Sequence, residues 1–374
     1  MREGRGTWGS WAAAELDGIR AAGRWRQNRS FDAFGPLGAL AGQPVTSYAS
    51  NDYLGLSTHP AVLAAAHAAL DRWGAGSTAS RLIVGTRPGH GELEAALADW
   101  KGAERALLFS SGYAANLGVL TTVGGPDVTV FSDELNHASI IDGCRQSRST
   151  TVVYRHDDLA DLDHSLGAAR GRKVVVTDSV FSMDGDAADL SGLAELCGRH
   201  RALLVLDEAH SVLGPHLSPV DGLEVVRVGT LSKTLGSLGG WVAADRPVID
   251  LLVNRARSFI FTTALTPADT AAAQAALTVL RSAEGAVLVA RLRAHVDRLR
   301  PGHPSPIIPI VLGEEAQAVK AAAALLEAGI FVPAIRPPTV PVGTSRLRVA
   351  LSAAHTDEMI DDLLAALDRL GLSS

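Results

Sequence analysis

Cysteine is scarce in this chain of 374 residues, with only Cys144 and Cys197 present. Two thiols are too few for a disulfide framework or a thiolate metal site, so no metal is expected. No run of eighteen apolar residues occurs without a charge, which argues against a membrane span. The N-terminal stretch has arginines but no continuous apolar run or small-residue cleavage site, so a cytoplasmic location is expected. The net charge of −6 offers no basic patch for nucleic acid. Lysine is rare as well: Lys101, Lys173, Lys233 and Lys320 are the whole complement. No GK dipeptide occurs, and that excludes the phosphate loop of a nucleotide-driven motor.

What is present is a long alternation of short apolar runs and amphipathic stretches. Helices are expected from His59 to Trp73, with Pro60 in the first turn and Gly74 as a stop, and through residues 92–100. Strands are expected at 106–110, 128–132, 151–154, 173–178 and 202–207, with a helix after each of the first four. That pattern requires an α/β fold with a mostly parallel sheet covered by helices on both faces. The expected organisation is an N-terminal segment over 1–44, a large domain over 45–265 and a smaller C-terminal α/β lobe over 266–374. Ligands of such sheets bind beyond the carboxyl ends of the strands.

The strand at 202–207 ends in Asp207, and His210 follows three residues later in the run DEAH. In a motor this acid would hold magnesium, a reading that also needs the missing phosphate loop. Alternatively, the carboxylate faces the ring nitrogen of pyridoxal phosphate and keeps the ring protonated as an electron sink. The second reading demands a lysine in a loop of small residues. Lys101, Lys173 and Lys320 read as solvated surface charges, whereas Lys233 lies in GTLSKTLGSLGG, twenty-six positions after Asp207. There Thr230 and Ser232 can donate to a phosphate, and the glycines admit a bulky group. Ser111 and Gly112 open a helix after another strand, either as a simple cap or as an anion cradle. His137 is a capping residue or a ring stacked on the cofactor, and Ser182 a turn serine or a donor to the ring oxygen beside His210.

Seven motifs, NDYLGLS, GAGSTASRL, SSGYAAN, NHASI, VFSMDGD, DEAH and TLSKTLGSLGG, occur in the order of the α-oxoamine synthases, and the chain resembles that family from about Asp17 to about Leu370. The resemblance implies a fold type I, aspartate-aminotransferase-like transferase that joins an amino acid to an acyl thioester with loss of carbon dioxide. The segment 334–355 is most similar to the branch that uses L-alanine and a pimeloyl thioester, carried by coenzyme A or a carrier protein; branches using glycine or serine are the rivals. By resemblance Lys233 carries the cofactor covalently, Asp207 binds the ring nitrogen, His210 and Ser182 face the ring oxygen and His137 stacks on the ring. Gly112, Tyr113 and Thr230 lie at the phosphate or ring edge, and Thr262 or Thr263 reaches the neighbouring subunit's phosphate in a homodimer. Arg348 and Asn51 take the amino-acid carboxylate, while Thr339 and Arg26 touch the acyl chain. The sequence departs from the family at Asp178, where glutamate is common, and at Ser211, where glycine is usual.

Overall fold

The computed structural model describes residues 6–372, so residues 1–5 and 373–374, at the ends of the expected N-terminal segment and C-terminal lobe, lie outside it. Its centre is a seven-stranded sheet in the order Arg105–Phe109, Gly240–Ala244, Val225–Thr230, Leu203–Asp207, Arg172–Asp178, Val128–Asp133, Thr150–Tyr154. Only Gly240–Ala244 runs against its neighbours. All five expected strands are therefore present within a residue or so of their expected ends. Their valines and leucines are buried on both faces, as a parallel sheet between helix layers demands. Val174, Val176, Val205 and Val228 pack with the helix Gly112–Val123 on one face. Val175, Leu204 and Leu206 pack on the other with the helices Leu159–Ala168 and Leu190–His200. Each such side chain contributes about 1.5–3 kcal/mol by leaving water.

The helix Pro60–Trp73 begins and ends as its signals require: His59 Nδ1 accepts the Ala61 amide at 3.2 Å, and Gly74 leaves the helix at φ 77°. The second helix starts earlier than expected, at Pro88, and runs to Lys101. Helix Pro267–Leu280 packs against both of them.

Beyond it, Ile307–Gly313, Ser345–Ala350 and Ala334–Ile335 form an antiparallel three-stranded sheet. Near the start of the chain, Phe31–Phe34, Leu37–Leu40 and Gln43–Ser47 make an antiparallel ribbon, and its last strand pairs in parallel with Ile330–Phe331. The ribbon is thus fastened to the C-terminal sheet region.

The C-terminal sheet meets the large sheet through the loop VFSMDGD. Arg346 pairs with Asp184, Arg348 Nε donates to the Ser182 carbonyl at 2.6 Å, and Ser305 Oγ donates to the Gly185 carbonyl at 2.7 Å. Gly185 has φ +69°, and a Cβ there would lie 1.9 Å from the Ile307 carbonyl oxygen. Only glycine fits that junction.

Candidate active site

Parallel strands bring Phe109, Asp133, Asp178, Asp207 and Thr230 to one edge of the large sheet. At one end of that edge Ser111, in an extended conformation, caps the helix Gly112–Val123 by accepting the Ala114 amide at 3.1 Å. A Cβ on Gly112 would lie 3.3 Å from Thr230 Cβ, and one on Gly240 only 2.3 Å from the Ser111 carbonyl. The helix start is therefore pressed onto the next loop. Thr230 Oγ1 donates to the Gly239 carbonyl at 2.9 Å, accepts the Ser232 amide at 3.1 Å and sits 2.7 Å from Ser232 Oγ. Ser111, Gly112, Thr230 and Ser232 are thus gathered around a helix N-terminus, where amides and macrodipole favour an anion.

Asp207 is buried at the centre of the edge. Its Oδ1 accepts the Ala209 amide at 2.9 Å and its Oδ2 accepts Asn116 Nδ2 at 2.7 Å. Asn116 also donates to Ser139 Oγ at 2.9 Å, and that hydroxyl lies 2.7 Å from His137 Nδ1. Because the Ser139 amide also donates to Nδ1 at 3.2 Å, Nδ1 is an acceptor and the neutral ring carries its proton on Nε2. His137 is thus a helix cap whose ring remains exposed to the site. Asp178 is paired in register with Asp207 on the adjacent strand and accepts the His137 amide at 2.9 Å. Burial, reinforced by the charge of Asp207, holds the Asp178 carboxyl well above the usual range.

Lys233 shares this environment. Burial lowers the pKa of its amine and the arginine of Arg348 lowers it further, while the carboxylates of Asp207 and Asp178 oppose the shift. His210 is buried nearby, and burial together with Lys233, Arg348 and His137 pushes its imidazole well below the usual value. Its Nδ1 lies 2.6 Å from the hydroxyl of Tyr53. Arg348 is buried against Asn51, whose Oδ1 accepts Nη2 at 3.2 Å. Ser182 and Thr339 line an adjoining cleft of about 550 Å³ with Leu135, Phe181, Met183 and Arg24. An amine, a carboxylate, an anion cradle and a buried guanidinium therefore surround one edge, with a cleft of mixed apolar and polar lining beside it.

The profile of the family described as "Aminotransferase class I and II" matches residues 43–367. A protein named 8-amino-7-oxononanoate synthase from Anaeromyxobacter dehalogenans is 53% identical over 96% of this chain and 94% of its own length. The chain belongs to the aminotransferase class I and II family, in its α-oxoamine synthase branch. Among solved structures, a serine palmitoyltransferase from S. paucimobilis with a bound adduct of pyridoxal phosphate and myriocin aligns with a TM-score of 0.89 and 32% identity over 96% of this chain and 98% of that one. An 8-amino-7-oxononanoate synthase from Francisella tularensis aligns at 0.72 with 26% identity, covering 87% and 98% of the two chains.

Four further residues expected for an α-oxoamine synthase, Arg26, Tyr113, Thr262 and Thr263, make no hydrogen bond to the groups just described. Arg26 lies in a shallow surface depression formed by Trp25 to Arg29, while Arg24 lines the cleft. Both arginines follow the N-terminal helix Thr7–Ala21, and the turn after it sets Arg24 at the cleft with its Nη2 2.9 Å from Glu315 Oε1 and leaves Arg26 exposed. Thr263 forms an isolated bridge with Ser80, and Thr262 adjoins it; both are expected at a neighbouring subunit's phosphate and not at this one. Tyr113 is exposed and its hydroxyl donates to Asp142.

Lys101 overturns an expectation. It is not a solvated surface charge: its side chain is 8% exposed, and its Nζ lies 2.7 Å from Glu208 Oε2 and 3.7 Å from the centre of the Trp100 ring. Arg227 Nη1 takes the other carboxylate oxygen at 2.5 Å. The second residue of DEAH is therefore a buried anchor between two cations, its side chain directed away from the site that Asp207 and His210 face. Sequence reasoning also missed Tyr53 and Asn116. Both lie inside recognised motifs, and Asn116 stands one helical turn after Gly112 on the same face, a spacing that could have singled it out.

Proposed function

We propose that this enzyme binds pyridoxal phosphate through Lys233 and condenses L-alanine with pimeloyl-CoA, or a pimeloyl carrier protein, to give 8-amino-7-oxononanoate, the free thiol and carbon dioxide, a step of biotin biosynthesis. The observation that carries this reading is the shared environment of Lys233 and Asp207, flanked by an anion cradle. The donor set suits the cofactor. Ser111, Gly112, Thr230 and Ser232 would hold its phosphate, with Tyr113 at the ring edge; Asp207 would hold the ring nitrogen. His137 would cover the ring face, and His210 with Ser182 would address the ring oxygen. When bound, the ring supplies an electron sink for charge that develops on the amino acid's α-carbon.

The chain's own groups do the rest. Arg348, steadied by Asn51 and the Ser182 carbonyl, would bind the amino-acid carboxylate in a bidentate manner. Lys233, whose pKa burial lowers from the usual lysine value, would take the α-proton as general base. The cleft beside Thr339 offers Leu135, Phe181, Met183 and Val340 to a long acyl chain, and Arg24 at its wall, whose Nη2 is paired with Glu315 Oε1 at 2.9 Å, would share its guanidinium with the terminal carboxylate of a pimeloyl group, taking the place of Arg26 as the arginine near the acyl chain. The names of the curated relatives support this choice of substrates. The similarity to serine palmitoyltransferases supports a second reading, in which serine and a longer acyl chain are used.

A homodimer is part of the proposal. Leu82, Ile83, Val84 and Phe261 are exposed next to Thr262 and Thr263, a patch suited to a second copy whose phosphate site Thr262 or Thr263 would reach. The enzyme would work in the cytoplasm; among the described residues no helix is long and apolar enough to cross a membrane.

The test uses the purified protein with alanine, glycine or serine against pimeloyl-, acetyl-, succinyl- and palmitoyl-CoA. Alanine with pimeloyl-CoA should win, and a preference for another pair would refute the substrate assignment. Lys233→Ala should lose both the visible absorbance of the loaded protein and turnover. Full turnover in that variant would refute the role of the lysine.

A further inference from the structure

Beside the site, one histidine joins two of the segments that line the cleft. His156 follows the strand Thr150–Tyr154 and does not itself line the cleft. Its backbone amide donates to Glu134 Oε1 at 3.0 Å, and its ring Nδ1 lies 3.0 Å from Asp133 Oδ1. Asp133 is buried, and that same oxygen accepts the Leu135 amide at 2.8 Å. The turn 133–136, which gives Glu134, Leu135 and Asn136 to the cleft, is thus fixed on one side of the ring.

On the other side, Nε2 lies 2.7 Å from Asp186 Oδ2, and the Phe181 ring meets the imidazole edge to face at 4.4 Å. Phe181 and Asp186 close the loop that gives Phe181, Ser182, Met183 and Asp184 to the cleft, the Phe181 amide donating to the Asp186 carbonyl at 3.0 Å. Both ring nitrogens therefore face carboxylates, which accept and cannot donate, so both carry protons. Hydrogen bonds from the ring to Asp133 and Asp186 outweigh its burial and raise its pKa to about 10. A charged ring between two carboxylates makes a directional clamp.

The same loop has separate anchors on its far side. Arg346 pairs with Asp184, Arg348 Nε donates to the Ser182 carbonyl, and Ser305 Oγ donates to the Gly185 carbonyl. Cutting the histidine clamp should therefore leave Ser182 and Arg348 in place and free only the spacing between the loop and the turn 133–136.

We propose that His156 is a positioning residue for the acyl substrate: by joining Asp133 to Asp186 it sets the width of the cleft between the turn 133–136 and the loop 181–186. The acyl role rests on the function proposed above; the clamp does not.

The experiment measures steady-state kinetics of the cofactor-loaded enzyme with two variants. Asp186→Ala cuts the clamp at its more exposed end, and His156→Asn removes the ring. Either should raise KM for pimeloyl-CoA about fivefold with kcat nearly unchanged, the pattern of lost uniform binding. KM for alanine should stay within about twofold, and the preference for pimeloyl- over palmitoyl-CoA should fall. Unchanged KM and preference in Asp186→Ala would overturn the proposal, and so would equal rises in both KM values, the mark of a general loosening. The second readout is nitrogen NMR of the protein labelled with ¹⁵N-histidine, His156 being assigned by its shift in Asp186→Ala. Two protonated ring nitrogens are expected at pH 8, and a neutral ring would overturn the clamp even if His156→Asn fails to fold. A wild type that turns over no acyl thioester yet shows both protons would refute the acyl reading, and the acyl role of His156 with it, while upholding the clamp.

Discussion

Replacing Lys101 by methionine tests the buried anchor beneath the DEAH turn. In the wild type the Glu208 side chain is 2% exposed and each carboxylate oxygen has its own cation, Lys101 at 2.7 Å and Arg227 at 2.5 Å. Methionine fills much of the lysine's volume and retains contact with Trp100, so little packing is lost. The loss is electrostatic: one oxygen of a buried carboxylate is left without its cation. Breaking a buried pair costs about 3–5 kcal/mol, and because Arg227 remains, a value near 3 kcal/mol is expected. The assay is urea unfolding at pH 8, read as a lower midpoint for Lys101→Met. The pH dependence provides a second check. Burial raises the Glu208 pKa, but Lys101 and Arg227 together outweigh it and hold the carboxyl below its ordinary value of 4.5. This contribution is fully present above that unfolded value and is lost as pH falls through the lower folded value. The gap between wild type and variant should therefore narrow in acid. Equal midpoints at pH 8, or a gap that widens as pH falls, would refute the anchor.

Three further outcomes are expected. Gly185→Ala would force a Cβ to within 1.9 Å of the Ile307 carbonyl at φ +69°, costing about 3 kcal/mol in unfolding measurements, and should weaken amino-acid binding by shifting Ser182 against Arg348. His156 lies between Asp133 and Asp186, whose hydrogen bonds raise its pKa to about 10. Its stabilisation is complete below the unfolded value of 6.5 and is lost as pH rises through 10, so the difference in Tm between wild type and His156→Asn should shrink over that window; a difference that grows would contradict the clamp. Arg24→Ala should raise KM for the pimeloyl thioester about tenfold, the equivalent of about 1.4 kcal/mol, with kcat nearly unchanged. An unchanged KM would remove Arg24 from acyl recognition.

The strands of the large sheet and the helix Pro60–Trp73 were legible because their signals are local: β-branched runs, a proline in the first turn, a glycine stop. Lys233 was legible by elimination, since a glycine and hydroxyl loop is an unusual setting for a rare lysine. Lys101 defeated the same reasoning. Its sequence neighbours mark a helix end exposed to water, but Glu208 and Trp241, which enclose it, come from more than one hundred residues away. Arg24 and Arg26 are likewise equivalent as text, and the turn after the N-terminal helix separates them.

What the sequence by itself determined is which residue types reach the carboxyl edge of a parallel sheet, because strand direction and length are written in local periodicity. Asp207 and His210 follow from that, and Lys233 from its rarity and its loop of glycines and hydroxyls. The three-dimensional fold decided which partners those groups have: Asn116 on Asp207, Tyr53 on His210, Arg348 beside Asn51 and Ser182. Hydrogen bonds and ion pairs depend on distances of a few ångströms between segments far apart in the chain, and no local pattern encodes those distances.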